Sequence, residues 1–244
     1  MNHAQPVTPT RALVIGAKAP VPGTVKTRLG RTIGHERAAT LYHAFLRDLA
    51  ARFADQSAYD VFWAYAPIAA DWPTVIGCEV AAFPQEGPDW TARQRHIFSW
   101  TAARGYGHTV LMASDSPQLP RATVTDAFAA LDRFGAVLLP TYDGGYSLIG
   151  QRQGVDILGA TPMSTRTVFD DLCDTATRTG VTLETLAPTW DVDEEGDLTR
   201  LAHYLALTGG HDAPATAAAF AWLQSSGTAM TPATPAMQYA GGAI

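Results

Sequence analysis

The residues best suited to chemistry are cations gathered near one end of the chain and carboxylates spread along the rest of it. Lys18, Lys26 and Arg28 fall within Gly16-Ala17-Lys18-Ala19-Pro20-Val21-Pro22-Gly23-Thr24-Val25-Lys26-Thr27-Arg28-Leu29, where an apolar run breaks at Gly16 into a loop stiffened by two prolines and loosened by Gly23. Backbone N–H groups freed by such a turn, together with cationic side chains, neutralise a polyanion better than either does alone. Gly16, Lys18, Gly23, Lys26 and Arg28 are therefore expected to form a seat for the phosphates of a small anionic ligand. Between Gly16 and Arg37 there are five basic residues against one acid, Glu36. An ordinary strand-to-helix loop with solvated lysines would use the same residue types. The spacing is not that of a Walker A loop, because six residues separate Gly16 from Gly23 and Thr24-Val25 precede Lys26. A G-x-G-x-x-G dinucleotide turn is absent as well.

Asp115 follows the apolar run Thr109–Ala113 and precedes Ser116-Pro117, a proline that stops the strand. A carboxylate there suits Mg²⁺ or Mn²⁺, since such an ion takes one or two carboxylates together with substrate phosphates. Asp193 is the natural second ligand, and Asp191, two residues earlier on an extended segment, would share its face and is the substitute. Both aspartates also have the composition of a turn or a helix cap. Ser114, beside Asp115, is grouped with the nucleotide-binding residues. Asp143-Gly144-Gly145 reads as a hairpin turn, or as a place where a ligand approaches the backbone closely. Ser164 and Thr165 offer hydroxyls at a helix start, to cap it or to hold an anion. These five are the expected acceptor-binding residues. The seven histidines show no metal spacing, and without G-x-S-x-G or a Cys/His pairing, nucleophilic hydrolysis has little support.

The elements that must position these groups alternate between strand and helix. Strands are expected at Ala12–Gly16, Tyr59–Tyr65, Glu79–Pro84, Thr109–Ala113, Ala136–Pro140, Ser147–Gly150 and Thr182–Leu186. Helices are expected over 34–53, from Asp71-Trp72-Pro73 onward, over 90–104, 123–133 and 163–178, and from the Asp191–Leu198 segment onward, where Asp193 is the expected cap. The alternation predicts an α/β chain with one doubly wound, mainly parallel sheet and a site at the carboxyl ends of its strands.

A length of 244 residues with 47% hydrophobic and 16% charged content fits one large domain. The expected boundaries are a mobile lead at 1–10, a transferase domain at 11–208, and an Ala/Thr/Pro-rich extension at 209–244, partly disordered, with one short helix at Ala217–Leu223. The net charge of −6 argues against nucleic acid or an anionic membrane as partner. No leader or membrane span is evident, so the expected location is the cytoplasm. Cys78 and Cys173, far apart, are expected to be buried thiols. An exposed sheet edge could pair two copies into a homodimer.

The ordered strings from Ala17 to Leu29, Ser114-Asp115-Ser116-Pro117-Gln118-Leu119, Asp143-Gly144-Gly145-Tyr146, Ser164-Thr165 and Asp191-Val192-Asp193 with Asp197-Leu198 resemble a bacterial glycosyltransferase-A-like family named as glycosyltransferases. That family is similar in turn to the phospholactate and molybdenum-cofactor guanylyltransferases. The resemblance runs from about residue 11 to 205. It implies the glycosyltransferase-A (nucleotide-diphospho-sugar transferase) fold, phosphate binding by Lys26 and Arg28, and metal ligation first by Asp115 and second by Asp193. Two departures stand out. Trp90-Thr91-Ala92-Arg93-Gln94 replaces the family's usual Leu-Gly-Glu-Arg, leaving Arg93 as the residue available for that role, and Met163 replaces a common Trp before the Ser-Thr pair. The leading expectation is a Mg²⁺-dependent nucleotidyltransferase that moves a nucleoside monophosphate from a triphosphate to a small phosphate- or phosphonate-bearing acceptor. Its alternatives are a glycosyltransferase using a nucleotide-sugar, with Asp143 as base, and a nucleotide-binding protein without catalysis.

Overall fold

The computed structural model describes residues 10–161, 163 and 165–225. Along the chain run β1 (Arg11–Lys18), α1 (Thr27–Ile33), α2 (His35–Phe53), β2 (Asp60–Ala66), α3 (Trp72–Ile76), β3 (Ala82–Pro84), α4 (Trp90–Ala102) and β4 (His108–Ala113). There follow α5 (Arg121–Leu131), β5 (Ala136–Pro140), β6 (Tyr146–Arg152), α6 (Val168–Thr179), β7 (Leu183–Thr185), α7 (Glu195–Thr208) and α8 (Pro214–Ser225). The seven strands form one sheet in the order β3-β2-β1-β4-β6-β5-β7. All neighbours are parallel except that β6 runs antiparallel to both β4 and β5. Strand order departs in both directions from β1 and β4, and a ligand crevice forms at such a reversal.

The central strands are apolar on both faces, as strands covered by helices on each side must be. In β1, Leu13 and Ile15 join the core layer that includes Leu41, Phe45 and Leu49 of α2, whereas Val14 joins the opposite layer with Ile97 of α4 and Leu172 of α6. Side chains alternate across a strand, so a one-residue slip would exchange the two layers. Trp63 of β2 and Trp72 of α3, both almost fully buried, pack with ring centroids 5.6 Å apart.

The expected α/β architecture and mainly parallel sheet are observed, with local corrections. β1 does not end at Gly16 but continues to Lys18, because pairing of Lys18 with Ala66 of β2 prolongs the ladder past the glycine. A Cβ at Gly16 would stand 3.4 Å from both the Trp90 indole and Leu111, at the near limit of ordinary contact. The segment after the basic loop makes a separate helix, α1, set off from α2 by Gly34 at φ 93°. β3 is only Ala82–Pro84, and α6 starts at Val168 rather than at Met163. The cap of α7 is Glu194, not Asp193: Glu194 and Asp197 form a reciprocal capping box.

The short helix expected at Ala217–Leu223 is longer at both ends, as α8 (Pro214–Ser225), and belongs to the core through Phe220 and Leu223. Its N-terminus rests on the buried Asp48 of α2, which accepts from the Ala215 and Thr216 N–H groups at 2.9 and 2.7 Å. Of the two thiols expected to be buried, Cys78 is exposed and Cys173 is half-buried, and both are free. Cys78 follows the C-terminal glycine of α3 in an irregular stretch that no helix covers. Among the described residues, no helix is long and apolar enough to cross a membrane.

Candidate functional site

Three segments converge at the carboxyl ends of β1 and β4. The loop after β1 is pinned by buried Ala19 and Val25, and delivers Lys26 as the N-terminal flanking residue of α1 in the left-handed conformation, φ 44° and ψ 44°. That conformation is costly for a residue with a Cβ and needs surrounding structure to hold it. Asp115 stands just past β4. Asp193 lies before α7, on a strip fastened to the Asp115 segment: Val192 N–H donates to the Asp115 carbonyl at 3.0 Å, and Ser116 and Gln118 donate to the Trp190 carbonyl.

Lys26 closes the centre. Its Nζ donates to Asp115 Oδ2 and to Asp193 Oδ1, each at 3.0 Å, with the side chain only 6% exposed. Burial opposes the ammonium charge, but the two carboxylates outweigh it and raise the Lys26 pKa above the usual lysine range. Asp193 is the counterpart: burial works against its charge, yet Lys26 and then Arg28 hold its carboxyl below the usual range. Arg28 adds a contact to Asp193 Oδ2 at 3.1 Å and stays half-exposed. Asp197 orients the strip by accepting from the backbone N–H of Asp193 at 3.0 Å and of Glu194 at 2.8 Å.

Asp191 has the position expected of it. Val192 between the two aspartates is fully buried, while Asp191 and Asp193 both line one cavity. Burial and then the neighbouring charge of Asp115 push the Asp191 pKa well up. Asp115, Asp143, Asp191 and Asp193 thus outnumber Lys26 and Arg28, and an all-oxygen, net-negative set of this kind suits a hard divalent cation. Among the described residues, no three or more His, Cys, Asp or Glu side chains are arranged to enclose a metal ion. An ion here would therefore rest on Asp115 and Asp193 and complete its shell with phosphate and water, the mode of Mg²⁺.

The cavity measures about 720 Å³ and opens from this centre over β4, β6 and the chain before α6. Its walls include Trp90, Gln94, Tyr142, Tyr146, Met163 and Trp190, with Arg28, Arg166 and Arg200 among its cations. The antiparallel course of β6 brings the Thr141–Tyr146 turn to this edge of the sheet. Asp143 Oδ1 accepts from Thr141 Oγ1 at 2.5 Å and from Gly145 N–H at 3.1 Å, so the aspartate both shapes the turn and faces the cavity. Gly144, at φ 90°, lies against the next wall: a Cβ would fall 1.9 Å from the Arg166 carbonyl oxygen. The Gly144 carbonyl accepts from the Phe169 N–H at 3.1 Å, which docks the turn on α6.

Of the residues named from sequence, Lys26, Arg28, Asp115 and Asp193 form the charged centre, and Asp143, Gly145 and Thr165 line the cavity beside it. Ser164 lies outside the described residues. Lys18 ends β1 with its backbone N–H on the Tyr42 hydroxyl at 3.2 Å, and Gly23 has φ 79° in the loop ahead of Lys26. Ser114 is buried and joined to the same Tyr42 hydroxyl at 2.7 Å, a link that fixes the strand end. Arg93, the substitute offered by the third-helix motif, turns away to hold the Gly87 carbonyl at 3.1 Å. Gln94, Tyr146, Arg166, Trp190 and Arg200 were not singled out as site residues. Asp197 had a sequence signal in its place three residues after Glu194, the spacing of a capping pair. Tyr42 had none, being one apolar position among many on α2.

Comparison with known proteins follows this geometry. A protein of Desulfovibrio desulfuricans G20 described as a candidate nucleotide-diphospho-sugar transferase superposes with a TM-score of 0.82 at 28% identity, over 89% of this chain and 96% of that one. A nucleotidyl transferase from Methanothermobacter gives 0.54 at 14% identity, over 81% and 98% of the two chains. The 4-diphosphocytidyl-2C-methyl-D-erythritol synthase of Anaerococcus prevotii gives 0.52 at 8% identity, over 81% and 99%. A sequence comparison with functionally curated proteins returns no match. Residues 49–165 match the family described as "uncharacterized protein conserved in bacteria (DUF2064)". The sheet order and the superposition on the Desulfovibrio desulfuricans protein agree: the chain has the single-sheet α/β fold of the nucleotide-diphospho-sugar transferases.

Proposed function

We propose that the chain is a nucleotidyltransferase, transferring a nucleoside monophosphate from a nucleoside triphosphate to a small acceptor that bears a phosphate or phosphonate. The observation that carries this reading is Lys26, buried in a left-handed turn between Asp115 and Asp193. A cation fixed there, with Arg28 beside it, meets the charge of a triphosphate and of departing pyrophosphate. Lys26 would stabilise the charge that develops as an acceptor oxygen attacks the α-phosphorus and pyrophosphate leaves. Asp115 and Asp193 would hold Mg²⁺ or Mn²⁺, which when bound supplies Lewis-acid stabilisation of the phosphoryl oxygens. Asp197 keeps Asp193 oriented, and the Asp143–Gly145 turn, Thr165 and Arg166 face the volume left for the acceptor.

A second reading, glycosyl transfer from a nucleotide-sugar with Asp143 as base, is favoured by the description of the Desulfovibrio desulfuricans protein. A thermal-shift panel of nucleoside triphosphates and nucleotide-sugars, with and without Mg²⁺, separates the two. A ligand binding the native state alone raises stability by about 2.7 kcal/mol at a hundredfold excess over its Kd. A Mg²⁺-dependent shift with one triphosphate, abolished in Asp115→Ala and matched by pyrophosphate release on adding acceptor, is the expected outcome. A shift with nucleotide-sugars alone would instead establish the second reading, and triphosphate binding without turnover across acceptors would mark a binding protein.

A further inference from the structure

Gln94 lies within α4, with no accessible surface, yet it is one of the residues lining the 720 Å³ cavity. Its Oε1 accepts from the Tyr146 hydroxyl at 2.8 Å. Its Nε2 is buried without a hydrogen-bond partner among the described residues. Buried amide donors in native proteins nearly always have partners, and each exception calls for an explanation.

The direction of the amide is set by its neighbour. The Tyr146 hydroxyl has a single proton and gives it to Gln94 Oε1. Donation runs one way from Tyr146 to Gln94 and leaves the two N–H bonds of Gln94, a cavity-lining residue, without a partner among the described residues. The other buried glutamine at this end of the sheet shows what a structural role looks like: Gln85 Nε2 donates to the Ala17 carbonyl at 3.1 Å and the Ala64 carbonyl at 2.7 Å. Among the described residues, Gln94 has no such partner for its nitrogen.

The surroundings also limit what can complete the bond. A hydroxyl would bring a proton of its own, and the strong acceptor nearby, Gln94 Oε1, is already engaged by Tyr146. Beyond it stands the thioether of Met163, with its sulfur 3.4 Å from the Tyr146 oxygen, a weak acceptor. An anion would be drawn to Arg28, Arg166 or Arg200 rather than to a neutral amide. What fits is an uncharged oxygen that accepts and does not donate, carried on a flat or apolar group against the Trp90, Tyr146 and Met163 walls.

Resting on the reading of this cavity as the acceptor site, we infer that Gln94 is a specificity-determining donor that selects acceptors bearing a carbonyl oxygen in addition to their anionic group. Tyr146 is the positioning residue that holds its amide in the selective orientation.

The test is calorimetric titration of the full chain with 2-oxopropylphosphonate and with propylphosphonate, which differ by one carbonyl. The wild type is expected to bind the oxo compound about tenfold more tightly, the order expected for one neutral hydrogen bond. Gln94→Met should bind the two equally, because it removes the donor; it also takes away the acceptor of the buried Tyr146 hydroxyl, so a lower Tm accompanies either role. A merely structural glutamine would instead leave the discrimination intact. Tyr146→Phe, which retains Gln94 but frees its amide to turn, should weaken the discrimination and carries the test if Gln94→Met fails to fold. Equal binding of the two probes by wild type, no binding of either, or discrimination retained in Gln94→Met would each overturn the inference. A triphosphate titration alongside separates it from the proposed reaction: triphosphate binding without probe discrimination removes this inference alone, and discrimination without triphosphate binding removes the reaction alone.

Discussion

Lys26 has a left-handed backbone and precedes a helix N-terminus, where the partial positive charge disfavours a cation. Both features work against stability locally, and both are offset by Asp115 and Asp193. Replacing Lys26 by Met keeps the backbone demand and leaves the two carboxylates facing each other. The expected result is a loss of about 1–3 kcal/mol, moderated by the partial exposure of both acids, read as a lower denaturant midpoint. Turnover should fall about 100- to 1,000-fold, the scale of removing one fixed charge-stabilising group, read as pyrophosphate release at saturating triphosphate. Lys26 and its carboxylates were legible in the sequence through the crowding of cations after the first apolar run, the aspartate just past Thr109–Ala113 and the ordered motifs of the resemblance, since each residue type alone would equally suit a turn or a cap. Gln94 and Tyr146 were not, because an amide on α4 and a tyrosine on β6 gain their meaning from touching each other across the cavity, and no local pattern encodes that contact.

At the level of elements, the site depends on two short non-helical strips more than on any helix. The 190–194 strip is held by Asp197, whose carboxylate accepts from two successive backbone N–H groups. Asp197→Ala should cost about 1 kcal/mol as a lost helix cap, and should also lower kcat because the Asp193 backbone loses its acceptor. Asp197→Asn, which retains an accepting oxygen, should restore most of both in thermal melts and initial-rate assays. The 141–146 strip owes its place to β6: a strand running opposite to its neighbours starts at the edge where they end, so a tight turn reaches the site without a crossover helix. Sequence pattern located most strands and helices, since apolar runs and helical spacing are local. It misplaced ends such as Lys18 in β1 and Val168 in α6, where pairing with a neighbour or docking of the Gly144 turn decides where an element stops or starts.

Over the whole molecule, the α/β alternation was readable from the order of apolar runs, while the antiparallel β6 and the docking of α8 on α2 rest on contacts remote in sequence. The arrangement about Lys26 also bears on how the protein is handled and regulated. Carboxylate clusters commonly leave a fold dependent on an added ion to hold the acids together. Here the chain supplies its own resident counter-ion, so folding is expected not to depend on the divalent supply. EDTA should leave the Tm of the ligand-free protein unchanged, while abolishing the additional stabilisation by triphosphate in the same melt. The protein would then persist intact through metal scarcity and resume work when metal and nucleotide return together, with the nucleotide acting as the carrier of its own ion.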